Sequence, residues 1–341
     1  MSKNSAKPRV LVTRAIQPEL LQQLDQHFEV ESNQADDHWS VQDFLHRMKD
    51  KHGVYTTGIE RIDAALLAEC SQLKICANMT VGYNNFDLQA MTSAGVLGTN
   101  APDVLTESTA DFGLALLLAT ARRLTESEHY LRAGKWKRWR YDLFAGAEVH
   151  GTRLGIIGMG RIGQAIARRA SLGFGMQVIY NNRSRLDAAT ETALQAQYMD
   201  KDSLLASADH VLLVLPYTPQ SHHTIGPREL ALMKPTATLI NLARGGIVDD
   251  RALAQALREH RIAAAGLDVF EGEPEVSPEL LALSNVVLTP HIASATTGTR
   301  FAMAELAVNN LIGYLTRGQA LTPLNQEVMT AEAISAQGGR A

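Results

Sequence analysis

Two cysteines, Cys70 and Cys76, are all that 341 residues contain. They form no CxxC pair and have no histidine at zinc-finger spacing. They read as two buried thiols of a reducing compartment, not as a disulfide framework or a metal module. Long apolar runs are also missing. The longest, Phe112 to Ala121, is bracketed by Asp111 and Arg122 and falls well short of the roughly 20 residues a bilayer-spanning helix needs. The opening MSKNSAKPRV lacks the apolar stretch of a secretory signal. Neither sign of charge dominates: 32 Lys and Arg against 36 Asp and Glu leave a net charge of -4. That balance disfavours a general nucleic-acid or membrane-surface role. A cytoplasmic protein acting on small molecules, with no nucleic-acid or membrane partner, is the expectation.

The sequence does have an ordinary core-forming composition, 45% hydrophobic and 20% charged, over a length that suggests two domains. Apolar β-rich runs alternate with helix-period segments, the mark of parallel α/β construction. A first block carries strands at 9–12, 54–56, 73–77 and near 96, with helices at 18–27, 62–69 and 86–94. It looks like a small open sheet flanked by helices. A long helix begins at Thr106, which can cap it, and ends near Arg122 and Arg123, the polarity a helix dipole prefers. Residues 125–149 lack periodicity and set Trp136 and Trp139 among basic residues. This stretch reads as an arm that packs on a neighbour. From Arg153 a second block is expected to hold six strands, at 154–157, 177–180, 211–215, 238–242, 263–269 and 286–289, with crossover helices. That count matches a doubly wound, Rossmann-type parallel sheet. A last helix is expected over 296–316.

The run Gly158-Met159-Gly160-Arg161-Ile162-Gly163 lies between an expected strand and an expected helix, the context a dinucleotide-binding GxGxxG needs. Gly158 permits the turn, Gly160 lets backbone N–H groups approach a pyrophosphate, and Gly163 lets the helix pack closely. An NAD site usually places Asp or Glu at the end of the next strand to bind the ribose diol. Here that strand runs into Asn181-Asn182-Arg183-Ser184-Arg185, and no carboxylate occurs from Gln164 to Leu186. A 2′-phosphate repels an acid and is held bidentately by arginine. The cofactor is therefore expected to be NADPH, with NADH as the alternative. Arg183 is the first contact, and Asn182, Ser184 and Arg185 assist.

Three reactive side chains follow expected strand ends, where open α/β sheets bind ligands: Arg244, Glu273 and His291. Reducing a ketone places charge on oxygen and requires a proton donor, which His supplies near neutral pH. A carboxylate against the imidazole favours its protonated form and orients the ring. Glu273 is the candidate and Glu271 its rival. Arg244 can grip a substrate carboxylate and polarise the ketone. Gly58, in the loop Thr56-Thr57-Gly58-Ile59, leaves room for a long polyhydroxy acid such as 2-ketogluconate. No metal is expected. The His222-His223 pair lacks Cys or acid partners at ligand spacing, while Pro216 and Thr218 nearby are read as lining the cofactor site.

Six motifs carry a family resemblance: VGYNNFD (81–87), TESTAD (106–111), GMGRIG, NLARGGIVD (241–249), GLDVFEGEP (266–274) and TPHIASAT (289–296). In that order they resemble the D-isomer-specific 2-hydroxyacid dehydrogenases over nearly the whole chain. The likeness is strongest to bacterial glyoxylate/hydroxypyruvate reductases, including the 2-ketogluconate reductase branch. The resemblance implies a Rossmann domain, 104–295, inserted into a flavodoxin-like substrate-binding domain, 1–103 with 296–330, followed by a tail, 331–341. It implies Arg244, Glu273 and His291 as the catalytic set, Asp268 near the nicotinamide, and Thr109 and Ala243 among the cofactor contacts. The backbone N–H groups of Val81 and Gly82 would join Arg244 and His291 in binding substrate, with little effect from Asn84 where many relatives carry Asp. It also implies a homodimer, with the arm after the TESTAD helix reaching over the partner. D-lactate-type and phosphoglycerate-type reductases are the enzymatic alternatives, the latter disfavoured by the missing carboxylate after Tyr180. A formate dehydrogenase would carry glutamine at 273. A cofactor-sensing corepressor shares the reactive trio and is the alternative of another class.

Overall fold

The computed structural model describes residues 6–330; the tail expected at 331–341 lies outside them, as do the first five residues. The chain divides into two compact units, one running to Leu105 and resuming at Thr296, the other Thr106–Ala295. No helix is long and apolar enough to cross a membrane among the described residues.

The first unit runs β1 (Arg9–Val12), α1 (Pro18–His27), β2 (Glu29–Ser32), α2 (Val41–Met48), β3 (Gly53–Thr56), α3 (Ala64–Glu69), β4 (Ile75–Asn78), α4 (Leu88–Ser93) and β5 (Leu97–Thr99). Its five strands are parallel in the order β2-β1-β3-β4-β5, the flavodoxin-like arrangement. The central strands GVYT and ICAN are buried at every position, as a sheet covered on both faces requires.

The second unit runs α5 (Thr106–Ala121), α6 (Leu124–Arg132), β6 (Arg153–Ile157), α7 (Arg161–Phe174), β7 (Gln177–Asn181), α8 (Ala188–Leu194), β8 (Ala196–Tyr198), α9 (Lys201–Ser207) and β9 (His210–Leu213). It continues with α10 (Pro227–Leu232), β10 (Thr238–Asn241), α11 (Asp250–Arg258), β11 (Ala264–Leu267), α12 (Pro278–Leu281) and β12 (Val286–Leu288). The chain then returns to the first unit as α13 (Thr297–Arg317), which packs on β3, β4 and α1. The second sheet is parallel, in the order β12-β11-β10-β9-β6-β7-β8. Strand order reverses beside β6, which places a ligand crevice at the carboxyl ends of β6 and β9. Helix α5 is apolar on nearly every face because it is buried between α7 and the strands β10 and β11. Both cysteines are free and buried, and burial pushes the Cys70 thiol up to about 11.

The structure corrects the sequence reading in several places. The second sheet has seven strands among the described residues, not six, the addition being β8. In the first sheet β2 is likewise an addition. Each is an edge strand, paired on one side only, and EVES and AQY carry little of the continuous apolar character a central strand needs. Helices α2 and α8 are further additions, as is α6, which has no buried residue. Thr106 lies inside α5 instead of capping it.

Candidate active site

The glycine loop joins β6 to α7. Gly158 has φ +103, and a Cβ there would come within 2.7 Å of the Val214 carbonyl. Gly163 is just as constrained, since a Cβ would meet the Gly158 carbonyl at 2.3 Å. Gly160 differs: a Cβ there meets nothing within 4 Å, and no side chain caps the helix it begins. The turn is therefore tight behind and open in front, and the first turn of a 14-residue helix faces the opening. That is the cradle a pyrophosphate requires, with fixed N–H donors and the positive end of a helix dipole. Met159 is buried, and its carbonyl accepts from Gln164. Arg161 is exposed and Ile162 half-buried.

Strand β7 ends at Asn181. Beyond it, Asn182 donates to the Ser184 carbonyl at 3.1 Å. The two arginines differ. Arg185 is committed to Glu191 through bonds of 2.9 and 2.7 Å, and Glu191 also accepts from the buried Tyr180 hydroxyl. Those hydrogen bonds hold the Glu191 carboxyl below its ordinary range, the Arg185 bond contributing most. Arg183 is exposed and has no carboxylate partner among the described residues. Thr109 is buried on α5. Pro216 and Thr218 follow β9 in a loop closed by Ser221, whose hydroxyl donates to the Pro216 carbonyl.

At the same carboxyl edge, β10, β11 and β12 deliver the reactive groups. His291 Nδ1 lies 2.8 Å from Glu273 Oε2, and the Phe270 N–H donates to Glu273 Oε1 at 2.8 Å. Burial pushes the Glu273 carboxyl upward. The His291 hydrogen bond and charge, the Phe270 N–H and the Arg244 guanidinium outweigh that and hold it below its ordinary value. Arg244 donates from Nη1 to the buried Ala243's carbonyl at 2.7 Å. Burial works against its charge while Glu273 supports it.

His291 has φ +53, a left-handed conformation uncommon outside glycine. Asp268, fully buried, holds it there. Its two oxygens accept from the Ile292 and Ala293 N–H groups at 2.9 and 2.8 Å, and the Thr289 hydroxyl adds a third bond at 2.7 Å. Burial raises the Asp268 carboxyl despite these donors. Both oxygens are thus used within the protein, a positioning task that the sequence reading did not foresee.

In the first unit, the loop after β4 is set by two asparagines that sequence reasoning missed. Asn78 donates to the Gly82 carbonyl at 2.9 Å, aided by Thr80 at 2.8 Å, and Asn100 donates to the Val81 carbonyl at 2.8 Å. No protein acceptor takes the N–H of Val81 or Gly82 among the described residues. Asn241 at the end of β10 does similar work, accepting from the Ala243 N–H at 3.0 Å. The available signal was the placement of each, a polar residue at or just beyond the last position of a buried strand. Gly58 has φ +95, and a Cβ there would meet Thr80 Oγ1 at 2.9 Å. The backbone alone accounts for this glycine, so a bulky replacement would strain the loop whatever the substrate.

Residues 114–293 match the family model described as D-isomer specific 2-hydroxyacid dehydrogenase, NAD binding domain. Glyoxylate reductase from Thermococcus onnurineus is 48% identical over 327 residues, covering 95% of this chain and 97% of the relative. The chain belongs to the D-isomer specific 2-hydroxyacid dehydrogenases. A second relative of that name, from Pyrococcus furiosus, is 45% identical over 95% of this chain and 97% of its own. Among solved structures, NADPH-dependent glyoxylate/hydroxypyruvate reductase from Sinorhizobium meliloti, in complex with NADP and malonate, is 35% identical with a TM-score of 0.81. That match covers 94% of this chain and 97% of that one. As a D-isomer specific 2-hydroxyacid dehydrogenase, the chain is an oxidoreductase with an NAD(P)-binding domain of Rossmann type.

Proposed function

We propose that the chain reduces glyoxylate and hydroxypyruvate to D-2-hydroxy acids with NADPH. The second unit is its cofactor-binding domain and the first its substrate-binding domain. The observation that carries the reading is the His291–Glu273 pair, 2.8 Å apart, at the same sheet edge as Arg244 and the glycine cradle. A bound nicotinamide supplies the hydride that reduces the keto carbon. The residues do the rest. Glu273 engages Nδ1 of His291 and leaves Nε2 to give its proton to the keto oxygen. Arg244, a permanent cation, binds the carboxylate and polarises the carbonyl. Within the first unit, the Val81 and Gly82 N–H groups have no protein acceptor among the described residues and are donors available to an anion. Asp268 positions the imidazole through the backbone on its C-terminal side.

The preference for NADPH is supported by Arg183, which has no carboxylate partner among the described residues, and by the lack of a carboxylate at the end of β7. The S. meliloti reductase, NADPH-dependent and solved in complex with NADP, agrees with it. A homodimer is supported by Leu131, Trp136, Trp139 and Tyr141, which lie 53–87% exposed along the segment after α5. That is apolar area a dimer interface would bury. A matrix of 2-keto acids against NADPH and NADH, read as loss of reduced-cofactor absorbance, tests the proposal. Turnover is expected with glyoxylate and hydroxypyruvate, faster with NADPH. No turnover of any 2-keto acid would overturn it.

A further inference from the structure

The loop after β9 and the loop that carries Glu273 meet at a point the reaction does not use. His222 and His223 stack there, with ring centroids 3.8 Å apart and planes inclined by 23°. His223 Nε2 lies 3.4 Å from Glu271 Oε2. One ligand atom from each of His222, His223 and Glu271 lies within 4.8 Å of the others. Sequence spacing gave this histidine pair no acid partner. The fold supplies one from 48 positions further along.

Each member is held from behind. The His223 N–H donates to the Gly246 carbonyl at 2.7 Å, and the residue is fixed at φ +50. The Tyr217 hydroxyl lies 3.2 Å from His222 Nδ1. The Glu271 N–H donates at 3.0 Å to the carboxylate of Asp250, which is buried at the start of α11. The ligand-bearing ends remain open to water, the side chains of His223 and Glu271 being 35% and 45% exposed.

We propose that His222, His223 and Glu271 form a binding site for a divalent transition-metal ion of the zinc class. Two imidazoles and a carboxylate are a donor set that Zn2+ uses where a further position stays open to water. Modest side-chain rotation brings three atoms already so close to the ~2.0–2.2 Å that zinc bonds require. The two anchored backbones limit the entropy lost on binding. Glu271 is two residues from Glu273, so an ion here fastens the loop holding the His291 partner to the loop after β9. That consequence for turnover rests on the function proposed above, whereas the binding itself does not.

The test titrates Zn2+ into the full chain after chelator treatment, reading heat of binding and the shift in Tm. About one Zn2+ per chain and a raised Tm are expected. His222→Ala, His223→Asn and Glu271→Gln should each weaken binding by about tenfold or more. Asn is chosen at 223 because it tolerates the left-handed backbone and keeps the loop folded. His291→Ala should bind zinc as the parent does. The proposal is overturned if the parent binds no zinc, if binding is unchanged in His222→Ala and His223→Asn, or if His291→Ala alone abolishes it. Zinc bound with the expected dependences while no keto acid is reduced would support this site and refute the functional reading.

Discussion

His291 and Glu273 are joined by a single hydrogen bond, and that bond sets what each residue contributes. Glu273→Gln leaves the ring a neutral partner and removes the carboxylate that orients it. kcat should fall by about a hundredfold with KM for glyoxylate nearly unchanged. Steady-state kinetics of parent and variant check this. The Glu273 carboxyl is held below its ordinary 4.5. Its contribution to stability is therefore present above pH 4.5 and lost as pH falls through the lower folded value. Urea midpoints of parent and Glu273→Gln should differ above pH 4.5 and converge in stronger acid. The two arginines after β7 give a second contrast. Arg183→Ala should raise KM for NADPH about tenfold, the scale of a lost charge-assisted hydrogen bond, and leave KM for NADH alone. Arg185→Ala should act more weakly on cofactor, because Arg185 already serves Glu191. Equal effects of Arg183→Ala on both cofactors would refute the phosphate assignment. The pairing of His291 with Glu273 was legible in the sequence, because an imidazole and a carboxylate after neighbouring strand ends are chemically suited to meet. The bonds that Asp268 accepts from the Ile292 and Ala293 N–H groups were not, since they depend on how β11 and β12 pair.

At the scale of elements, β6 and α7 show how much of a motif is packing and how much is binding. Gly163→Ala drives a methyl into the Gly158 carbonyl at 2.3 Å. It should cost about 1–3 kcal/mol in urea unfolding, the usual penalty for overpacking. Gly160→Ala enters open space. It should leave the urea midpoint unchanged and weaken NADPH binding by about tenfold or more by occupying the pyrophosphate's approach. Loss of stability in Gly160→Ala with unchanged cofactor affinity would contradict this division. The strands that pair on both sides could be read in advance, because burial on two faces demands unbroken apolar runs such as VLV, ICA and TLI. The edge strands β2 and β8 could not, because half of each strand's backbone faces away from the sheet and the side chains need not be apolar.

For the whole molecule, the exposed aromatic and apolar side chains after α5 are the feature a monomer has least reason to keep. Sedimentation of the parent is expected to give a dimer. Leu131→Glu combined with Trp139→Glu should shift it to monomer, since a buried unpaired charge opposes association; a monomeric parent would refute the expectation. Alternation of strand and helix, the glycine spacing and the reactive residues after strand ends were enough to determine the two-unit α/β plan, a domain of the NAD(P)-binding kind and the pairing of His291 with Glu273. Each of these is written in local periodicity or in residue chemistry. Only tertiary structure decided that Glu191 takes Arg185 and not Arg183, that Asn78 and Asn100 hold the Val81 and Gly82 carbonyls, and that Glu271 stands against His223. These are contacts set by strand order, register and the path of each loop, and no periodicity along the sequence records them.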